Sequence, residues 1–266
     1  MLTIVGSGLH PGQMTLEAES AIRSAEVVLL IIPTALAVHH ILQLNSHVIN
    51  LLEFYDGRTR PETYAAMTSA MLDRVYAGQE VCVVAYGHPG VFVTPTHNAL
   101  RQLKSEGYSA RMLPGVAADA CLIADLGVDP AEHGWQAYEA TSFLLTQPQV
   151  TTTSALVLWQ IGLTGEFSLR KFEPGQNGIV AMITCLSQWY PTEHMVCVYE
   201  ASISPLQSPR IEWMALSDLS KAILKDYSTL FIPPTQRAKL IEPRLSWLNA
   251  TIDELTLMRN VSAGPL

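Results

Sequence analysis

The chain has 266 residues, 48% of them apolar, with 24 acidic against 16 basic side chains and a formal charge of −8. Such a length suits one large domain or two modest ones, and the apolar content is enough for a sizeable core. The acidic balance, without any Lys/Arg cluster, argues against nucleic acid and against an acidic membrane as partner, leaving a small molecule or a protein.

In chain order, LTIVG reads as a short strand ending in glycine, and QMTLEAESAIRSA follows with helical spacing. EVVLLIIP is again a strand, too short to cross a bilayer. VHHILQL reads as a helix, VINLL as a strand, and a long helix is expected from about Pro61 to Ala77. VCVVAYG is a strand, TPTHNALRQLKSEG a helix with a glycine stop, YSARMLPG a strand and AADACLIADLG a helix. Strands separated by helices predict parallel α/β units. Near 145–155 the texture turns polar and extended. Beyond it ALVLWQIG, IVAMITCLSQWYP, MVCVYEASI, RIEWMAL and STLFIPP read as strands of a second α/β half with antiparallel pairs. The expected division is therefore 1–147, 148–236, and 237–266, the last with a helix over PRLSWLNATIDELTLM.

The four cysteines, Cys82, Cys121, Cys185 and Cys197, sit in apolar runs with no CxxC pairing. Buried free thiols in a reducing cytoplasm are expected, and the N-terminus has no signal-peptide pattern. Nor is a metal site expected. His39 and His40 are adjacent and point apart on a helix, and no Cys/His pairing occurs.

What carries chemistry is a set of strand-end turns: VGSG (5–8), YGHPG (86–90), LPGVAA (113–118) and WQIG (159–162). The first lacks G-x-G-x-x-G spacing, and the second strand ends in Ile-Pro rather than an acidic residue, which disfavours a dinucleotide site. No P-loop and no G-x-S-x-G elbow is present. In open α/β sheets ligands sit beyond the carboxyl ends of strands, where small residues let a flat ligand approach the backbone.

YGHPGVF, EGYSARMLPGVAADACLIADLGVDP, YEATSF and STLFIPP together resemble the borosin-type peptide backbone α-N-methyltransferases, within the wider tetrapyrrole-methylase fold (class III methyltransferases). The resemblance runs from Leu2 to about Pro234. The G-x-G-x-G-D start and GDP-type turn of tetrapyrrole methylases proper are missing. It implies two α/β domains with S-adenosyl-L-methionine between them, S-adenosyl-L-homocysteine as product, and a homodimer. Carried over by residue, the catalytic set is Tyr55, Arg60, Tyr64 and Tyr86. The cofactor set is Tyr86, His88, Val91, Phe92, Ala117, Ala118, Gln160, Ser202, Ser228 and Thr229. Ala117 stands where the family often has a serine, and Leu52 where related enzymes can carry a tyrosine. Read without the family, NLLEFYDGRTRPETY is a polar loop entering a helix, with Thr59 as N-cap, Pro61 in the first turn and Arg60 solvated.

The amide nitrogen of a peptide is a poor nucleophile because its lone pair is delocalised. Methylating it calls for a general base and for donors to the carbonyl oxygen. Arg60 lies one helical turn before Tyr64, so its guanidinium is expected to help that phenol take the amide proton, while Tyr55 and Tyr86 hold the carbonyl. Which phenol is the base stays open. About thirty residues follow STLFIPP, too few for a long self-methylated extension. The expected substrate is therefore a separate precursor peptide, bound as a 2:2 heterotetramer. The alternatives are a small-molecule (tetrapyrrole-type) methyltransferase of the same fold and a non-catalytic peptide-binding scaffold.

Overall fold

The computed structural model describes residues 1–168, 172–173, 175, 177–239 and 241–254. Strands β1 (Leu2–Gly6), β2 (Val27–Ile31), β3 (Val48–Asn50), β4 (Val81–Ala85) and β5 (Ala110–Met112) pair in parallel in the order β3-β2-β4-β1-β5. They alternate with α1 (Leu16–Ser24), α2 (Ala35–Leu44), α3 (Arg60–Tyr76) and α4 (Thr94–Ser105). Their apolar runs are continuous because helices cover both faces. Leu2, Ile4, Leu29 and Val83 meet Met67, Met71, Ala99 and Leu103 of α3 and α4 on one side. Val5, Val28, Leu30 and Val84 meet Ala18, Ile22, Ala37 and Ile41 of α1 and α2 on the other.

Local chemistry sets the element ends. Thr15 caps α1 by accepting from the Ala18 N–H at 3.1 Å. The Glu62 carboxylate accepts from the Thr59 N–H at 2.7 Å, which starts α3 at Arg60 with Pro61 tolerated beside it. The strand expected over VINLL stops at Asn50. Its side chain accepts from the Leu52 N–H at 3.0 Å and turns 51–54 into a 3₁₀ segment.

The helix α5 (Ala118–Leu126), closed by Gly127 at φ 64°, leads through α6 (Pro130–His133) to the second sheet. There β6 (Trp135–Glu139), β7 (Ala155–Trp159), β8 (Met195–Glu200), β9 (Arg210–Ala215) and β10 (Thr229–Ile232) run in the order β6-β7-β10-β8-β9. Only β6 and β7 are parallel, and the other pairs are antiparallel as expected. The chain enters this sheet at Trp135, earlier than the division expected near 148.

One expected strand is a helix. IVAMITC lies in α8 (Gly178–Leu186), which buries Gly178, Met182, Cys185 and Leu186 at intervals of three and four and exposes Val180. A short, almost wholly apolar run carries too little periodicity to separate the two states. With α7 (Ala140–Thr146), α8 covers one face of the second sheet, where Phe143, Met182 and Tyr190 pack on Leu156, Leu158, Val198 and Leu230. The opposite face packs Val157, Cys197, Tyr199 and Phe231 against Leu122 of α5. Of the C-terminal helix expected over 243–258, residues 242–248 form a 3₁₀ turn, and everything past 254 lies outside the described residues. No helix among the described residues is long and apolar enough to cross a membrane.

Candidate active site

The three glycine turns of the first sheet meet at its carboxyl edge. A Cβ on Gly6 would lie 2.2 Å from the Gly87 carbonyl oxygen and 3.2 Å from the Gly115 Cα, so only glycine allows the turns this approach. The Gly87 N–H donates to the Gly8 carbonyl at 3.0 Å, bridging the turns after β1 and β4. The WQIG turn belongs to the other sheet. Its Ile161 N–H donates to the Ser228 carbonyl at 3.0 Å, and a Cβ on Gly162 would fall 2.0 Å from the Lys225 carbonyl oxygen.

The residues expected to hold the cofactor therefore form two groups. Tyr86, His88, Val91, Phe92, Ala117 and Ala118 lie on the first-sheet turns, and Gln160, Ser202, Ser228 and Thr229 on the second. Two of them, Phe92 and Gln160, are non-glycine residues held at φ 56°. Such conformations concentrate at ligand sites, because surrounding structure must impose them. Val91 and Phe92 are 44% and 48% exposed. The His88 Nδ1 accepts from the Gly90 N–H at 3.0 Å, which fixes its ring.

Between the halves lies a cavity of about 380 Å³, lined by His10, Gln13, Val116, Ala120, Cys121 and Ser202 among others. Of the residues expected to hold the cofactor it takes in Ser202, with Val116 and Ala120 lying close in sequence to Ala117 and Ala118. The hydroxyls of the expected serines are engaged within the chain. Ser202 donates to the Ser204 carbonyl at 2.6 Å, and Ser228, fully buried, donates to the Glu200 carboxylate at 2.7 Å. Glu200 also accepts from Arg210 at 2.7 Å and Lys225 at 3.0 Å. Burial alone would raise its carboxyl, but the hydrogen bonds from Ser228, Lys225 and Arg210 bring it below the ordinary carboxylate range.

Tyr55, Arg60 and Tyr64 come together. Burial pushes the Tyr55 phenol above its ordinary range, the neighbouring Tyr64 adds to the rise, and Arg60 only partly opposes it. Arg60 is not the solvated cation of the family-free reading: its side chain is 18% exposed and pairs with Glu166, itself 5% exposed. The guanidinium expected from the one-turn spacing to assist Tyr64 is thus also held by a carboxylate of the second half. The ring of Phe172 lies 5.8 Å from the guanidinium and packs edge-on against Tyr55, centroids 5.9 Å apart. The ionisable neighbours acting on Tyr86 are Cys121 and Tyr227, not the other expected catalytic residues, and burial holds its phenol up at about 12. The sequence reading missed Glu166, Phe172 and Glu200. No group of three or more His, Cys, Asp or Glu poised for a metal occurs among the described residues.

Residues 1–202 match the model of the Tetrapyrrole (Corrin/Porphyrin) Methylases. The chain is 41% identical over 244 residues to the methyltransferase/ribosomally synthesized cyclic peptide omphalotin A precursor of Omphalotus olearius, covering 89% of this chain and 58% of that one. It is 38% identical over 241 residues to the methyltransferase/ribosomally synthesized type I borosin cyclic peptide precursor of Coprinopsis marcescibilis, covering 88% and 62%. It thus spans about three fifths of the length of these curated relatives. Among solved structures, the uroporphyrin-III-C-methyltransferase of Thermus thermophilus superposes with a TM-score of 0.61 at 18% identity, over 87% of this chain and 91% of that one, a likeness of fold alone. With two glycine-turned α/β halves and a family match over most of its length, the chain belongs to the tetrapyrrole methylases, and its curated relatives there include borosin precursor methyltransferases.

Proposed function

We propose that the chain catalyses S-adenosylmethionine-dependent α-N-methylation of backbone amides in a ribosomally made precursor peptide. The observation that carries the reading is the gathering of Tyr55, Arg60 and Tyr64 beside Phe172. That is a set of hydrogen-bonding phenols and one cation, suited to a neutral amide. A porphyrin's carboxylates would call for a basic cleft instead.

The residues present fit the cofactor. The glycine turns, the left-handed Phe92 and Gln160, and a cavity within the usual range for small-molecule sites offer backbone and small side chains to a flat ligand. His88, Val91, Phe92, Ala117, Ala118, Gln160 and Ser202 would hold it, with Ser228 and Thr229 behind them. Bound there, the sulfonium supplies an electrophilic methyl carbon. Tyr55, whose phenol stays protonated, donates a hydrogen bond to the substrate carbonyl, while Tyr86, also protonated but with Cys121 and Tyr227 as its ionisable neighbours, serves the cofactor side. Tyr64 is then the phenol left to accept the amide proton, as its phenolate, with Arg60 steadying negative charge on the carbonyl oxygen. With its methyl passed to the amide nitrogen, the cofactor would leave as S-adenosyl-L-homocysteine, the former C–S pair staying on sulfur.

Delivery of the precursor on a separate polypeptide, as two copies on an enzyme dimer, is part of the proposal. The curated relatives, by their names, join methyltransferase and precursor in one chain. The test is co-expression with the part of the omphalotin A precursor outside the matched region, followed by mass spectrometry and gel filtration. Peptide mass is expected to rise in steps of one methylene. Arg60→Ala and Tyr64→Phe each lower the rate by about 10²–10⁴ while calorimetry still shows S-adenosylhomocysteine binding. Near wild-type methylation by both variants would refute the residue roles. Steps appearing on the chain itself would refute delivery in trans, and no cofactor binding would favour the scaffold.

A further inference from the structure

Arg60 presents two kinds of donor. One terminal nitrogen, Nη2, is held by the Glu166 carboxylate. Its Nε is buried and has no hydrogen-bond partner among the described residues. An unpaired buried donor is costly, and a catalytic or ligand-binding role is one of the reasons a native structure keeps one. We propose that Glu166 is a positioning residue of the methyl-transfer site: it fixes the Arg60 guanidinium by a terminal nitrogen and so reserves the Nε–H for the substrate peptide carbonyl. This rests on the function proposed above and adds to it which atom of Arg60 meets the substrate and what aims it.

Glu166 is built for that task. It follows the 3₁₀ turn Ile161–Leu163, and its own N–H donates to the Leu163 carbonyl at 3.0 Å. One carboxylate oxygen, Oε1, accepts from the Ser168 N–H at 2.9 Å, while Oε2 takes Arg60. The Gly165 N–H donates to the Thr141 hydroxyl at 3.2 Å. A Cβ on Gly178 would lie 1.9 Å from the Thr164 carbonyl oxygen, so α8 clamps this loop from behind. The loop therefore brings a fixed carboxylate from the second half to a cation on the first. A planar guanidinium has its donors at set angles, so a partner on the terminal nitrogen sets the direction of Nε–H. The Phe172 ring, 5.8 Å from the guanidinium, adds a cation–π contact that helps hold it in place.

The probe is the full chain with S-adenosylmethionine and the omphalotin A precursor segment used above. Glu166→Gln keeps the shape but removes the charge that grips Arg60. It is expected to lower kcat about ten- to a hundredfold, the scale of a misaimed group, with KM and S-adenosylhomocysteine affinity within about twofold. Glu166→Asp recovers part of the loss. The double variant Arg60→Ala/Glu166→Gln is no slower than Arg60→Ala alone, because Glu166 works through Arg60. Arg60→Lys keeps the charge and the ion pair but has no second donor on its stem, so it melts like wild type and loses kcat as Arg60→Ala does. Wild-type kcat in Glu166→Gln, multiplying losses in the double variant, or full activity in Arg60→Lys would each overturn the inference. Full activity in Arg60→Ala would instead bring down the catalytic reading on which it rests.

Discussion

Burial and the neighbouring Tyr64 leave the Tyr55 phenol harder to ionise than a free tyrosine, although a cation lies close. A phenol in that position stays protonated and so remains a donor rather than a base, which in the proposed reaction gives Tyr55 the carbonyl and Tyr64 the proton. Removing the Tyr55 hydroxyl should then resemble the loss of one oxyanion donor. We expect Tyr55→Phe to lower kcat by at most about 10²–10³ and to keep the rise of kcat with pH that marks a phenol base becoming ionised. The check is a pH profile of kcat over about pH 6–10, which brackets the ordinary tyrosine range. A rise that vanishes in Tyr55→Phe moves the base from Tyr64 to Tyr55. The Arg60–Tyr64 spacing was readable because it is local, one turn of one helix. Glu166 was not, since its partner lies 106 residues away and nothing around EFS marks a carboxylate that will be buried.

Between residues and fold stand the turns, and their glycines are not equivalent. Gly6 and Gly87 touch, yet a methyl group on Gly6 would strike backbone at 2.2 Å, whereas on Gly87 it would find its nearest neighbour, the flexible end of Leu9, at 3.5 Å. Gly87 has instead a left-handed backbone, φ 67°. Gly87→Ala should therefore cost about 1–2 kcal/mol, the usual charge for that conformation, and leave S-adenosylhomocysteine binding intact. Gly6→Ala must part the turns after β1, β4 and β5, so it should cost more stability and weaken cofactor binding as well. Urea unfolding and calorimetry on the two variants measure this, and equal effects would contradict the packing. At this scale the sequence was legible where chemistry is local: glycines ending apolar strands, Thr59 and Pro61 opening α3, Gly127 closing α5. In the second half β7, β8, β9 and β10 were legible as strands, but β6, α7 and α8 were not. There α8 is apolar on nearly every side, and β6 with α7 sits in a stretch whose aromatic and polar residues carry little period. Tertiary packing, not local preference, decides such segments.

Across the molecule the halves are tied at separate places: by the Arg60–Glu166 pair, by Leu122 of α5 against the second sheet, and by the Tyr199 hydroxyl donating to Asp125 at 2.7 Å. Behind these ties Glu200 gathers β8, β9 and the 225–228 loop through Arg210, Lys225 and Ser228. The Ser228 carbonyl in turn receives the Ile161 N–H beside Gln160, so this carboxylate supports the second-half wall of the proposed cofactor site. Its folded-state carboxyl lies below the ordinary value, which means that the unfolded chain binds the extra proton in the window between them. Stability from Glu200 is therefore fully present above the free-glutamate range, near about 4.3, and is lost as pH falls through the lower folded value. Glu200→Gln should be less stable than wild type at neutral pH, and the gap should close on acidification, because protonation makes the wild-type side chain neutral too. Urea midpoints of both proteins from neutral to acidic pH test this. A gap of constant size would mean that the three donors recognise the shape of residue 200 rather than its charge. S-adenosylhomocysteine affinity should fall in the variant at neutral pH, since the loop that carries Ser228 loses the anion that folds Lys225 and Arg210 around it.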